Sequence, residues 1–181
     1  MASWRSVSAV SESVSLEFRD PSGDPLRFEW RTDQLADFDP AAAGEQPVWR
    51  FGGELDWDEI EAVRLLSARL EDGRLLAIAA LRPAEAQGHG EEITAGAIGD
   101  AEAFEQLYET LFSTEYGPDG RPRRVGLELY PAEDSMPIRV AGETTAVSSS
   151  DNGGVSRLSA ALMLRAGGEA GTGSLDILRP S

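Results

Sequence analysis

The sequence predicts an all-β protein, an antiparallel barrel or sandwich of about nine or ten strands with one short helix. Most of the chain alternates apolar and polar residues with period two, which is typical of strands with one buried face. Turn signals rich in Pro, Gly and Asp separate these strands. With 181 residues, 41% of them hydrophobic, the chain is predicted to form a single domain over residues 1–181.

Residues 14–31 form the first predicted hairpin, because two alternating strands flank a turn at 20–25 that contains Pro and Gly. The positions expected to face inward are Val14, Leu16, Phe18, Leu26, Phe28 and Trp30. Residues 32–46 are polar or small and are interpreted as a loop. Residues 47–55 follow as a strand, with a bend at Gly52 and Gly53.

The segment 60–70 is the hardest to assign, because its composition favours a helix while the turn that follows favours a strand. Glu71-Asp-Gly-Arg74 is a hairpin-type turn, so residues 62–82 are interpreted as a second hairpin. The alternative fold is an α+β cone with helices near residues 57–70 and 100–110.

The remaining elements are mostly strands. A third hairpin is predicted around the turn at 117–120, and strands follow near 137–143, 158–164 and 174–178, with a polar turn at 148–154. The single short helix is expected at about 101–107, with Asp100 as its N-cap.

The composition excludes several kinds of chemistry. The chain has no cysteine, no lysine and one histidine, which removes a thiolate nucleophile, a Schiff-base lysine and a zinc site built from several His or Cys residues. The net charge of −16 argues against binding to nucleic acid or to anionic membranes. No phosphate-binding loop, dinucleotide fingerprint or nucleophile elbow is present.

The start of the chain lacks a signal peptide pattern, which predicts a cytoplasmic protein.

Several short sequence segments occur together in a characteristic order: GELDWDE at 53–59, YGPDGRPRRVGLELY at 116–130, PIRVAGE at 137–143 and LDILRP at 175–180. In this order, over roughly residues 47–180, the chain resembles poorly characterised actinobacterial lipocalin-like proteins, which are similar to barrels of the AttH and carotenoid-hydratase type. The resemblance implies a lipocalin-like barrel. Members of that wider group include hydratases and cyclases that act on isoprenoid or polyketide substrates. The larger members carry two barrels, whereas this chain has room for one.

Three residues are candidate catalytic groups: His89, Glu128 and Tyr130. His89 lies between two glycines in a predicted loop, and an imidazole with a pKa of about 6.5 can act as a general acid or base. An exposed loop histidine without a role is the alternative. Glu128 and Tyr130 share a strand face, which lines a pocket if it points into the barrel and carries ordinary cross-strand ion pairs if it points outward.

The candidate ligand-binding residues are Trp30, Trp49, Phe51, Tyr116 and Arg139. The aromatic members can form the apolar wall of a pocket, although such a set is more often part of the core. Glu54, Asp56 and Asp58 would share one face of a strand and offer oxygen ligands to a cation, but they lack the pattern of a calcium-binding loop. A solvated acidic turn is therefore the preferred interpretation, and no metal site is predicted.

The leading hypothesis is a barrel that binds a small hydrophobic molecule in its cavity, such as a terpenoid, a steroid, an acyl compound or a polyketide. If the protein is catalytic, it would perform cofactor-free hydration, isomerisation or cyclisation by acid/base chemistry. A carrier without chemistry and an acidic protein-interaction module are the alternatives. No cofactor is expected, and formation of a homodimer is left open.

Overall fold

The computed structural model describes residues 4–10, 12–19, 25–87 and 91–181. Within these ranges the chain forms thirteen strands, one α-helix, α1 (Thr32–Asp37), and one 3₁₀ helix, Pro40–Ala42. The strands are β1 (Trp4–Val10), β2 (Ser13–Arg19), β3 (Pro25–Arg31), β4 (Trp49–Gly52), β5 (Ile60–Leu70), β6 (Leu75–Pro83), β7 (Ile93–Gly99), β8 (Phe104–Gln106), β9 (Glu109–Tyr116), β10 (Pro122–Tyr130), β11 (Ile138–Asn152), β12 (Val155–Ala166) and β13 (Glu169–Pro180).

The strands form two antiparallel sheets. The small sheet has the order β1-β2-β3-β4, and the large sheet has the order β8-β7-β6-β5-β13-β12-β11-β10-β9. The large sheet curls until its two ends meet: the Leu107 amide donates to the Gly96 carbonyl at 2.9 Å, and Thr94 Oγ1 donates to the Thr110 carbonyl at 2.8 Å. The predicted all-β antiparallel fold of lipocalin-like type is therefore confirmed.

The core has two layers that share strand β5. Val63 and Leu65 pack against the small sheet, whereas Leu66, Ala68 and Leu70 point to the inside of the curled sheet. Both faces of β5 are therefore buried, and its apolar residues do not alternate with polar ones. This double burial explains why the composition of residues 60–70 also fitted a helix.

The three predicted hairpins are confirmed. β2 pairs with β3, β5 pairs with β6, and β9 pairs with β10, each in antiparallel register. The alternative α+β cone is wrong, because residues 60–70 form a strand. The polar segment 148–154, predicted to be a turn, continues β11 to Asn152, and only Gly153 and Gly154 turn the chain, with φ of 60° and 82°.

The helix predicted at 101–107 is wrong, and a helix occurs where a loop was predicted. The Asp100 side chain does accept hydrogen bonds from the amides of Glu102 and Ala103, but these close a turn, after which β8 pairs with β7. These amide hydrogen bonds lower the pKa of Asp100 below its usual value. Helix α1 lies within the predicted loop 32–46 and buries Thr32 and Leu35.

No helix in the described part of the chain is long and apolar enough to cross a membrane.

Candidate functional site

A cleft of about 1690 Å³ runs along strand β9. Its lining draws on both faces of the β9–β10 hairpin: Phe112 and Leu127 point toward the inside of the curled sheet, while Leu111, Ser113 and Glu128 point outward. Residues of β5, β6, β7, β11, β12 and β13, together with Glu92 and Gly167 from loops, complete the lining. The cleft therefore combines an apolar wall with charged groups from several strands, which is the usual composition of a site for a small molecule.

The most buried charges of the cleft are Arg64 and Glu92. Arg64 Nη2 and Nε donate to Glu92 Oε1 at 2.6 and 3.0 Å, and the two side chains are 10% and 11% exposed. Arg64 also reaches β9, where Nη1 donates to Thr114 Oγ1 at 2.6 Å and Nη2 donates to the Phe112 carbonyl at 2.8 Å. Its guanidinium lies 4.0 Å from the centre of the Phe112 ring. These contacts hold Arg64 in one position across the opening of the barrel.

The strand register explains why this pair lies at the opening. Arg64 has the same parity on β5 as the inward residues Leu66, Ala68 and Leu70, so its side chain continues their row toward the end of the strand. Glu92 immediately precedes β7 and shares parity with Thr94, which contacts β9. Glu92 Oε1 accepts both bonds from Arg64, and Oε2 accepts none from the described residues, so this oxygen is available to a molecule in the cleft.

Below Arg64, the inside of the curled sheet is filled with side chains. Leu66, Ile78, Leu127, Leu162 and Leu175 are each at most 2% exposed and belong to one cluster. The candidate site is therefore the cleft at the opening, and not the ligand cavity that the sequence analysis expected within the barrel.

Tyr116 and Arg179 lie at the opening beyond Arg64. Tyr116 follows Phe112 and Thr114 on the inward row of β9, and Arg179 follows Leu175 and Ile177 on the inward row of β13. The Arg179 guanidinium lies 5.9 Å from the centre of the Tyr116 ring, within the range of a cation–π contact. Both residues line the cleft, and the ligand-binding role of Tyr116 stays a prediction.

Glu128, Tyr130 and Arg139 are neighbours on the outward face. Arg139 is directly opposite Glu128 in the β10–β11 register, with Nε 3.4 Å from Glu128 Oε1, and Tyr130 Oη donates to Glu128 Oε2 at 3.3 Å. Partial burial and the Glu128 charge raise the pKa of Tyr130 above its usual value. Of the two orientations considered for this face, the outward one is found, and Glu128 and Arg139 line the outer part of the cleft.

Trp30, Trp49 and Phe51 belong to the small sheet and do not line the cleft. Trp30 and Trp49 are buried between the two sheets, and Phe51 is 37% exposed with its ring 5.4 Å from that of Phe28. The structure therefore gives Trp30 and Trp49 the core position that was the alternative interpretation of these aromatic residues.

The tryptophans reach polar groups on the large sheet. Trp30 Nε1 donates to Ser67 Oγ at 2.8 Å, and Trp49 Nε1 donates to Asp176 Oδ2 at 2.8 Å. Asp176 is fully buried and also accepts a hydrogen bond from Ser159. Burial raises the pKa of Asp176 above its usual value, although the Ser159 and Trp49 hydrogen bonds and the Arg157 charge oppose this shift.

His89 lies outside the described residues, so its candidate role stays a prediction. The acidic cluster at 54–59 lies in a turn rather than on a strand, and Asp56 accepts a hydrogen bond from the Asp58 amide. No group of three or more His, Cys, Asp or Glu side chains in the described ranges is arranged to hold a metal ion.

Arg64, Glu92 and Arg179 were not among the candidate site residues predicted from the sequence. Arg64 and Glu92 are 28 positions apart, so no local motif joins them. The sequence did contain one signal, the alternation of residues along a strand. If residues 60–70 form a strand, Arg64 is a charged residue on a strand face whose other residues are apolar. Arg179 offered the same signal at the end of the inward row of β13.

The fold and the cleft define an antiparallel β-barrel of lipocalin-like type with a charged opening. Among solved structures, the chain is similar to a protein from Nitrosomonas europaea that carries the provisional name AttH, with a TM-score of 0.51 and 12% identity. The alignment covers 97% of this chain and 64% of that protein, so the chain spans less than two thirds of its length. This similarity establishes an AttH-like fold and concerns the fold alone. No protein-family model and no curated protein matches the chain.

Proposed function

We propose that this protein binds a small, mostly apolar molecule in the cleft along β9. The observation that carries the proposal is the combination of apolar side chains on both faces of β9, Phe112 and Tyr116 inward and Leu111 outward, with the fixed Arg64–Glu92 pair. Apolar walls provide binding energy, and a few fixed polar groups orient the ligand. The AttH-like fold agrees with this proposal. A terpenoid, a steroid, an acyl compound or a polyketide has the required character.

Acid/base catalysis is the second candidate function. Glu92 has one carboxylate oxygen without a partner among the described residues, and Glu128 is joined to Tyr130 on the outer wall of the cleft. Either carboxyl group can exchange a proton with a bound molecule, and cofactor-free hydration, isomerisation or cyclisation requires such a group. His89 remains a further candidate. Turnover of an identified ligand, measured for Glu92→Gln and Glu128→Gln, separates an enzyme from a carrier.

The binding proposal is tested first with the protein purified from its own host. Native mass spectrometry would show a mass above that of the chain, and extraction would identify the bound molecule. In parallel, the neutral dye Nile red is titrated against the purified chain, and we expect its fluorescence to rise with a saturable curve.

Two exposed apolar residues on the same outward face provide a matched pair of variants. Leu111 is 47% exposed and lines the cleft, whereas Met163 is 64% exposed and does not line it. Leu111→Ser is expected to weaken Nile red binding several-fold, and Met163→Ser is expected to leave it unchanged. An empty native protein that also fails to bind the dye would contradict the proposal. Recovery of a basic partner protein would then favour the interaction module.

The single domain over 1–181, the cytoplasmic location and the homodimer remain predictions. Size-exclusion chromatography with light scattering tests the homodimer.

A further inference from the structure

Two of the five arginines that line the cleft, Arg165 and Arg179, form no ion pair within the described chain, and of these two only Arg179 lies on an inward row, where it contacts Tyr116. Arg64 is occupied by Glu92, Thr114 and the Phe112 carbonyl, and Arg82 Nε donates to Glu61 Oε2 at 2.7 Å. Arg179 is exposed, and no described carboxylate forms an ion pair with it. Its guanidinium contacts the ring of Tyr116.

The contact with Tyr116 leaves the hydrogen-bond donors of the guanidinium available. A cation–π contact uses none of the five N–H donors of a guanidinium, and no hydrogen bond joins Arg179 to another described side chain. Two such donors match the two oxygens of a carboxylate or of a phosphate. Arg179 is two residues beyond Ile177, whose partner in the register is Arg64, so the two arginines are about 7 Å apart along the strand direction.

The charge distribution also favours an anion at this place. Five of the chain's 16 arginines line the cleft, but only four of its 32 acidic residues do. The lining therefore has a slight excess of positive charge in a protein whose net charge is −16. Such a local excess attracts an anionic group that the rest of the surface repels.

We propose that the ligand of the cleft carries an anionic head group, a carboxylate or a phosphate, which binds the guanidinium of Arg179. Its apolar body then lies against Tyr116 and Phe112, which share the inward row of β9. This inference rests on the proposed function and specifies its ligand class. A head group alone lacks contact with the apolar wall, so we expect binding of an amphipathic anion rather than of free phosphate or acetate.

Isothermal titration calorimetry at low salt tests the inference with defined probes. Decanoate and decyl phosphate are compared with decanol, which has the same chain without the charge, and with acetate and inorganic phosphate, which have the charge without the chain. Calorimetry is preferred to tryptophan fluorescence because Trp30 and Trp49 lie between the sheets. Decanoate or decyl phosphate is expected to bind about tenfold more tightly than decanol, the usual size of one charge-assisted hydrogen bond.

The variant Arg179→Gln removes the charge and is expected to bring the affinity for the anion down to that for decanol. Arg50→Gln is the matched control, because Arg50 is an exposed arginine on β4 in the small sheet, and it is expected to leave binding unchanged. Raising the salt concentration should weaken binding of the anion and spare decanol.

The outcomes separate the two proposals. Equal affinity for decanoate, decyl phosphate and decanol, unaffected by Arg179→Gln, overturns the anionic head group and leaves the apolar cleft intact. Tight binding of acetate or inorganic phosphate alone overturns the amphipathic ligand. Absence of binding by all five probes, together with failure to bind Nile red, overturns this inference and the proposed function together.

Discussion

The guanidinium of Arg64 on β5 spans the opening of the curled sheet and contacts Phe112 on β9 in two ways. It lies 4.0 Å from the centre of the ring and donates Nη2 to the backbone carbonyl of the same residue at 2.8 Å. The large sheet places β5 and β9 five strands apart, with β13, β12, β11 and β10 between them. One side chain therefore connects two strands that share no ladder of backbone hydrogen bonds, and Glu92 balances its charge.

Removal of Arg64 is expected to destabilise the fold strongly. Arg64→Met leaves Glu92 largely buried without its counterion, and breaking such a pair from one side costs about 3–5 kcal/mol. The double variant Arg64→Met/Glu92→Met removes both charges and should recover most of that loss. Urea unfolding followed by circular dichroism gives the free energies of unfolding.

The Arg124–Glu143 pair is the control for this prediction. Its two side chains are 65% and 75% exposed, and the charged atoms are 3.9 Å apart. Arg124→Met should therefore change the free energy of unfolding by less than about 1 kcal/mol. Equal effects of Arg64→Met and Arg124→Met would show that the buried pair does not hold the opening.

The hairpins could be predicted because their information is local. Alternation and turn residues determine β2–β3 and β9–β10 within about 20 consecutive positions, and the Asp72-Gly73 turn determines β5–β6 even though β5 is buried on both faces. Helix α1 was missed because six residues without a side-chain cap give no helical period to detect. The helix predicted to begin at Asp100 was wrong because an aspartate side chain accepts amide hydrogen bonds in a turn as readily as at the start of a helix.

The candidate site could be predicted only in part, because its residues meet through the curl of the sheet. Tyr116, Glu128 and Arg139 were identified and line the cleft. Arg64 and Glu92 meet only because of how far the large sheet curls and how its two ends are aligned. No pattern of neighbouring residues in the sequence encodes either property. Trp30 and Trp49 were expected to line a pocket, but they belong to the small sheet. They contact Ser67 and Asp176 on the face of β5 and β13 that points away from the inside of the large sheet.

Asp176 is expected to make stability depend on pH. Its native pKa is raised by burial, so between the usual value of 3.8 and that raised value the native state binds more protons than the unfolded state. The free energy of unfolding then falls as pH rises through this window, by at most about 1.4 kcal/mol per pH unit. The contribution is complete below the unfolded pKa and is lost above the native one.

The Asp176→Asn variant isolates this contribution, because the amide has nearly the same shape and does not titrate. The difference in free energy of unfolding between the natural chain and Asp176→Asn should shift in favour of the variant as pH rises. Urea titrations at a series of pH values measure that difference, in which the effects of the other carboxyl groups cancel. A difference that stays constant with pH would contradict the raised pKa.

The two buried tryptophans are expected to differ in their sensitivity to the same substitution. Trp→Phe removes the indole N–H at both positions, but Trp30 donates to the Ser67 hydroxyl and Trp49 donates to the Asp176 carboxyl group. Hydrogen bonds to charged groups contribute about 1.5–3 kcal/mol, against about 1 kcal/mol for neutral pairs. At pH values above the raised native pKa of Asp176, where its carboxyl group is ionised, Trp49→Phe should therefore lower the free energy of unfolding more than Trp30→Phe does. The reverse order would mean that ring packing outweighs the hydrogen bond.

Closure of the large sheet is expected to depend on the absence of a side chain at Gly96. A Cβ atom there would lie 2.8 Å from Thr110 Oγ1 and 2.9 Å from Leu107 Cδ1, and the Gly96 carbonyl accepts the Leu107 amide. Gly96→Ala must therefore displace the buried side chains of Leu107 and Thr110, which pack between β7 and β9, and we expect this to cost about 1–3 kcal/mol.

Gly168, in the turn between β12 and β13, provides the matched control, since a Cβ there has no atom within 4 Å. Gly168→Ala should leave stability unchanged or raise it by up to about 1 kcal/mol. Hydrogen exchange locates the effect: Gly96→Ala should speed exchange of the Leu107 amide more than that of amides in β12 and β13. Uniform acceleration along the chain would instead mean that the substitution weakens the whole fold, and that the contact between β7 and β9 is not the point at which the sheet closes.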